Sequence, residues 1–274
     1  MGAFTLTARA APIFLTENRF NRHAHEAGNI VVSSGDTIKS RLFDGDPESL
    51  WASVGSSDAV VESIASGLYA PGAQMSFDVQ YVGVYGTNAL HLVLDLSNDG
   101  VTWTNALTEA ALATDYARAS LAAAVPADRF RLLLYTTQTA NQEKQVGNIV
   151  IAGHKFQAQY RPVGYRREPP RVRHKTANLY NGAIRSSYVY RSAANYKHRA
   201  FEARFLADTE AELANFDDLA FGGEPFIFML QPGDKPRELY QGRVRPGSYD
   251  DNYAVLSTSG GQVVSAVLEE TGGA

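Results

Sequence analysis

From Asn29 to about His154, apolar and polar residues alternate in short runs divided by turn-forming residues. Leu90-His91-Leu92-Val93-Leu94-Asp95-Leu96 keeps a period of two, which sends alternate side chains to opposite faces of a strand. The stretches at 29–34, 75–86, 130–137 and 146–153 are similarly short, apolar and rich in Val, Ile, Phe and Tyr. Ser34-Gly35-Asp36, Asp44-Gly45-Asp46-Pro47, Ala70-Pro71-Gly72 and Asn98-Asp99-Gly100 separate them. The last of these lies between two alternating runs, 90–97 and 101–107. It predicts a hairpin in which Gly100 supplies a positive φ at no steric cost. Many short strands and little helix predict a β-sandwich. Thr108 to Ala124 is Ala-rich, keeps no helical stripe and reads as a connection.

The pattern changes after residue 156. Pro162, Pro169 and Pro170 stand among arginines, and adjacent prolines fit neither a central strand nor a helix interior. We place a linker at 157–175 and a second domain at 176–274, with 1–28 as an N-terminal arm and 29–156 as the sandwich. Arg161 to Arg204 carries eleven Lys or Arg against two acids, Glu168 and Glu202. Such a run reads as a polyanion site, or as a solvated strand face or inter-subunit contact, and the latter is favoured. Arg166, Arg167, Arg171, Arg173, Arg185 and Arg191 are the candidate assembly contacts. Tyrosines interleave the run, but no motif for sequence-specific nucleic-acid binding accompanies it.

One helix is predicted in the second domain. Thr209 is its N-cap and Glu212 completes a capping box by reaching back to it. Leu213, Phe216, Leu219 and Ala220 share one face, and Gly222-Gly223 with Pro225 ends the helix. Residues 225–230 read as a buried strand, and strands near 237–245 and 254–270 complete a mixed unit. No internal repeat is visible. The fold class expected is therefore mainly β: a β-sandwich followed by a smaller β-rich domain with one α-helix.

Composition removes several chemistries. The 274 residues contain no cysteine, so disulfides, thiolate metal sites and cysteine nucleophiles are absent. There is no Asn-x-Ser/Thr sequon, and the first residues lack the basic-then-apolar pattern of a signal peptide. No apolar run approaches the roughly 20 residues of a membrane helix, so no membrane insertion is expected. These features suit assembly in a cytoplasm. His25-Glu26-Ala27-Gly28-Asn29 falls short of a zinc motif, because Asn29 replaces the second histidine. His23 and His25 alternate on an extended segment without a third ligand. Neither a nucleophile elbow nor a phosphate-binding glycine loop occurs. The acidic pairs Asp217-Asp218, Asp250-Asp251 and Glu269-Glu270 are adjacent in sequence and point apart. No catalytic site, metal or cofactor is expected. Trp51 and Trp103 follow turns, where an aromatic platform for a sugar would sit, but packing into the core is the favoured reading at both, more strongly at Trp103.

Residues 29–156 resemble a discoidin (F5/8 type C) domain. Leu42-Phe43-Asp44-Gly45-Asp46-Pro47-Glu48-Ser49-Leu50-Trp51 is similar to that family's first loop, with Ser49 where Thr is usual. Leu96 to Trp103 is similar to its S-x-D-G-x-x-W hairpin, Ala127 to Leu132 to its A-R-Y-V-R-L strand, and Val146 to Gly153 to its closing strand. The resemblance implies a jelly-roll sandwich of the carbohydrate-binding type. Arg22, His25, Trp51 and Tyr69 become the candidate glycan contacts. Calcium-binding members use a late Glu, and Asn148 stands there in this chain.

The order of elements in the second half resembles minor tail or distal-tail proteins of long-tailed bacteriophages. That resemblance implies a structural virion protein of a tail tip or baseplate. It would form a closed homo-oligomeric ring, a hexamer by preference, against tail-tube and baseplate-hub proteins, with the sandwich touching host-surface polysaccharide. The alternative expectation is a carbohydrate-binding module protein with an accessory domain, outside any virion. A carbohydrate-active enzyme with its catalytic unit in 175–274 is the weakest of the three.

Overall fold

The described strand pairings of this computed structural model are antiparallel, and the strands are numbered in chain order. It describes residues 11–16, 30–35, 38, 41–42, 49–63, 77–160, 162, 164–168, 174–178, 184–188, 200–222, 225–233, 239–251 and 262–270. The chain divides into two compact units. The first comprises Met1–Gln157, Phe226–Tyr240 and Gly273, and the second Ala158–Pro225, Gln241–Gly272 and Ala274.

A five-stranded sheet forms one layer of the first unit, in the order β2 (Ile30–Val32), β4 (Ala59–Ser63), β9 (Arg129–Leu134), β6 (Leu92–Ser97) and β7 (Thr104–Glu109). The period-two pattern accounts for its inner face. Leu92, Leu94, Leu96, Phe130, Leu132 and Leu134 are all fully buried there, while their neighbours in sequence face outward. Opposite lies a three-stranded sheet, β11 (Asn148–Ala152), β5 (Phe77–Tyr85) and β8 (Tyr116–Ala127). Val82 and Val84 of β5, with Ile149 and Ile151 of β11, fill the space between the two sheets. A short pair, β3 (Trp51–Ala52) with β10 (Gln145–Val146), seals one margin through Trp51 and Val146.

The three-stranded sheet is covered on its second face as well. There Tyr81, Tyr85, Val150 and Ala152 meet Ile13, Leu15, Ile227 and Met229. These come from β1 (Ile13–Thr16) and β17 (Phe226–Met229), which pair with each other. β12 (His154–Gln157) pairs along the other side of β1. With partners above and below, all five residues of β11 are buried. The Tyr81 and Tyr85 hydroxyls lie 2.6 Å apart, and Tyr85 donates to the Met229 sulfur at 3.8 Å. Burial pushes both phenols above the usual tyrosine range.

Three expectations change here. Ile13–Thr16 is a central strand, not part of an arm, because its apolar side chains complete the second core. Phe226–Met229 is the buried strand expected at 225–230, but it belongs to the first unit. The Ala-rich stretch at 108–124 is mostly strand: β7 runs to Glu109, and β8 holds Tyr116–Ala127. Pairing with β5 overrides the poor strand preference of alanine, and four residues of β8 bulge between the partners of Val79 and Tyr81.

In the second unit, β13 (Gly164–Glu168), β16 (Ala200–Ala207), β19 (Gln262–Glu270) and β18 (Tyr240–Val244) pair in that order. β13 falls inside the expected linker; its register with β16 makes it part of this sheet. β14 (His174–Asn178) and β15 (Ile184–Tyr188) form a separate pair. The one helix among the described residues, α1 (Glu210–Phe221), packs Phe216 on Phe205 at 5.1 Å and buries Leu219. Thr209 caps it by accepting the Glu212 N–H at 3.1 Å. The Glu212 carboxylate departs from a capping box. It accepts from the Asp208 N–H at 3.0 Å and the Gln159 N–H at 2.8 Å, one residue and some fifty residues outside the expected partner.

Gly83 marks the tightest point of the doubly covered sheet. A Cβ there would stand 2.6 Å from Cε2 of Tyr85, whose ring occupies the space over it. Gly83→Ala is expected to displace that ring and lower stability by about 1–3 kcal/mol, read by chemical denaturation. An unchanged midpoint would show that Tyr85 moves aside freely.

Candidate functional site

The stretch Ser97 to Trp103 folds as its residues dictate. Gly100 has φ +72°, and a side chain there would run into the Arg129 guanidinium. The Asp99 carboxylate accepts from the Val101 N–H at 2.8 Å and the Thr102 N–H at 2.7 Å. The Ser97 hydroxyl donates to Asp99 at 3.1 Å and accepts from the Gly100 N–H at 2.8 Å. Those backbone donors hold the Asp99 carboxyl down at about 2. The turn is thus fixed by its own side chains, and it delivers Trp103 to the start of β7.

Trp103 lies at the outer face of the five-stranded sheet, partly exposed. The Arg131 guanidinium carbon sits 4.4 Å from its ring centroid. Register explains the neighbours: Asp95 stands opposite both Arg131 and Asn105, with all three on the outward side of their strands. Arg131 donates to Asp95 at 3.1 Å, and Asn105 donates to the other Asp95 oxygen at 3.1 Å. Thr108 donates to the Asn105 carbonyl oxygen at 3.0 Å. Only 8% of Asp95 is exposed, so the carboxylate fixes its partners from beneath instead of meeting solvent. Further along the same face, Val93 and Leu133 are partly exposed, and His91 and Tyr135 follow with ring centroids 4.5 Å apart. Tyr135, just past the end of β9, is four positions beyond Arg131, a span of roughly 13 Å along an extended strand.

This strip combines an indole face, a guanidinium with donors to spare, an amide, a hydroxyl and a second aromatic pair on a rigid sheet. Flat apolar rings with polar groups at their edges match the alternating C–H faces and hydroxyl rims of sugar rings. Among the described residues, no group of three or more His, Asp or Glu is placed to hold a metal ion. Among them too, no helix is long and apolar enough to cross a membrane.

The expected contacts distribute differently. Trp51 is fully buried in the main core, beside its strand partner Val146, so it is not a platform. Arg22, His25 and Tyr69 lie outside the described residues, as do Arg171, Arg173 and Arg191. Arg166 and Arg167 fall on β13 and Arg185 on β15. Asp44 and Asp46 are also outside the described residues, while Asn148 is buried on β11. The favoured core reading holds at Trp51 and fails at Trp103, which is partly exposed. Arg131, Asp95, Asn105, His91 and Tyr135 did not stand out in the sequence. The signal for them is the alternation at 90–96, which sends His91 and Asp95 away from the core.

No protein-family model and no curated protein matches the chain. Among solved structures, it is similar to a family 32 carbohydrate-binding module produced by Clostridium perfringens, at 18% identity over 50% of this chain and 100% of that one, with a TM-score of 0.40. It is also similar to chitosan-binding module 2 of a chitosanase/glucanase from Paenibacillus sp. IK-5, solved in complex with chitotriose. There the identity is 20% over 46% of this chain and 97% of that one, with a TM-score of 0.38.

The different burial of the two tryptophans is directly measurable. Trp51→Ala is expected to lower stability by about 3–5 kcal/mol through the cavity it leaves. Trp103→Ala is expected to cost less than half as much, because its ring is only partly buried. Equal losses in thermal or chemical denaturation would contradict the assignment of Trp51 to the core and Trp103 to the surface.

Proposed function

We propose that the first unit is a non-catalytic carbohydrate-binding module, and that the outer face of its five-stranded sheet receives the glycan. The observation that carries this reading is Trp103, held partly exposed against Arg131 while Asp95, Asn105 and Thr108 fix the polar groups beside it. Binding to a preformed surface avoids the cost of ordering side chains on contact. The roughly 13 Å between the Arg131 and Tyr135 rows suits an oligosaccharide better than a single sugar. Host-surface polysaccharide is the partner this reading carries forward. A glycan array probed with the full chain is expected to show selective binding to an oligosaccharide class. Trp103→Ala should weaken it at least tenfold with the fold intact by circular dichroism. Absence of selective binding, or binding indifferent to Trp103→Ala, would overturn the reading.

A second reading, a ring-forming structural subunit of a phage tail tip, draws on one observation in the second unit. Phe221, at the end of α1, is 76% exposed and rests edge-on against Tyr249 at 5.4 Å. In a ring of subunits, a neighbouring copy would cover this side chain. Light scattering across concentration is expected, on this reading, to give a closed hexamer that Phe221→Ser dissociates. A single-chain mass up to high micromolar concentration would remove it.

A further inference from the structure

We infer that Arg118, Lys155 and Ser120 form a second site, on the margin of the three-stranded sheet, which binds a doubly charged oxyanion such as sulfate or phosphate. The site is independent of the Trp103 face, which belongs to the five-stranded sheet.

Alternation along β8 sets two of the three groups. Arg118 stands opposite Gly83 and Ser120 opposite Tyr81, on the side of the sheet where Tyr81 and Tyr85 meet β1 and β17. Lys155 arrives from β12. It pairs with Leu15, which belongs to that same second core, whereas the adjacent Phe156 stacks on Phe14 at 5.7 Å. Lys155 therefore leans toward β8, and its ammonium donates to the Ser120 hydroxyl at 2.9 Å. The Ser120 O–H remains free to donate elsewhere.

Arg118 is anchored on one side only. One terminal nitrogen donates to the Pro232 carbonyl at 3.0 Å, the other to the Met229 sulfur at 3.7 Å, and the guanidinium carbon lies 5.5 Å from the Tyr116 ring centroid. A guanidinium carries five N–H donors, and with the Tyr81 and Tyr85 hydroxyls also engaging it, only part of the fork is left for a ligand. Its plane is held by backbone and ring, which prepares it for a bidentate oxyanion.

The charge balance is what favours a ligand. The other half-buried arginines among the described residues each face a carboxylate: Arg129 has Asp128 at 3.4 Å, Arg131 has Asp95 at 3.1 Å and Arg245 has Glu269 at 3.3 Å. Arg118 and Lys155 are both half-buried, close enough to repel each other, and form no ion pair among the described residues. Burial, and then the Arg118 charge, hold the Lys155 ammonium below the usual lysine range. Two neighbouring cations beside one hydroxyl, with no acid paired to either among the described residues, match one dianion in charge.

The test is isothermal titration of the full chain with inorganic sulfate and inorganic phosphate at fixed ionic strength in chloride. Saturable one-to-one binding is expected, weakened at least tenfold by Arg118→Gln and by Lys155→Gln, and unchanged by Trp103→Ala. Glucose 6-sulfate and glucose 6-phosphate distinguish the source. Tighter binding of an ester than of its free anion assigns the site to a charged group on a larger ligand; equal binding assigns it to the free anion. If Arg118→Gln fails to fold, Lys155→Gln carries the test, since its ammonium bonds only to the Ser120 side chain. No saturable binding, or binding that both glutamine variants leave intact, overturns the inference.

Discussion

In the three-stranded sheet, β11 and most of β5 are buried on both faces, and the rest of the first unit is arranged around that constraint. An antiparallel sheet usually keeps one wet face and so alternates apolar with polar. Here β11 offers Ile149 and Ile151 to one core and Val150 and Ala152 to the other. Covering the second face takes strands from distant parts of the chain, Ile13–Thr16 and Phe226–Met229. Segments before and after the sandwich in sequence thereby become structural parts of it. Polar atoms that enter this second core do so in mutual pairs, as with the Tyr81 and Tyr85 hydroxyls, because an unpaired buried hydroxyl would cost on the order of 1–3 kcal/mol.

With the middle sheet consumed by packing, only the five-stranded sheet retains a broad outward face. Its register then decides what solvent meets. Asp95, Arg131 and Asn105 come into one cross-strand row because the β6–β7 turn and a bulge after Leu94 fix the pairing. A slip of one residue would turn Leu94 and Leu132 outward and bury the ion pair, so core formation and site assembly are the same event. The hydrogen bonds within Ser97–Thr102 serve that register, since they determine where β7 begins.

How much of this is legible in the sequence follows from the range of the interactions. The hairpin at Asn98-Asp99-Gly100 and the Thr209 cap are local, and the residues announce them. The leucines of β6 are equally plain, because period two needs only neighbours. Trp51 and Trp103 are not separable in this way. Both follow turns, and only the β3–β10 pairing shows that Trp51 enters the core. β8 was hidden for a related reason: alanine carries little strand preference, and the partner that imposes the strand, β5, lies some thirty residues earlier. Glu212 shows the same limit on a smaller scale. The capping pattern marks it correctly as a helix-start residue, but its carboxylate reaches Gln159, a contact no local rule contains.

The half-buried arginines bring these strands together. Removing a guanidinium partly from water is unfavourable unless charge or dipole replaces the lost solvent. In β9 the replacement comes from within the sheet, as Asp95 for Arg131 and Asp128 for Arg129. Arg118 lies in a sheet whose second face meets side chains of β1 and β17, and no acidic residue among the described residues pairs with it. Its internal partners are a carbonyl, a sulfur and a ring, which stabilise a cation without neutralising it. Lys155 adds a second charge at the same margin. The margin of the middle sheet therefore carries two cations that no acid among the described residues pairs with, and it is that residual charge, held in fixed geometry, which favours an anion there.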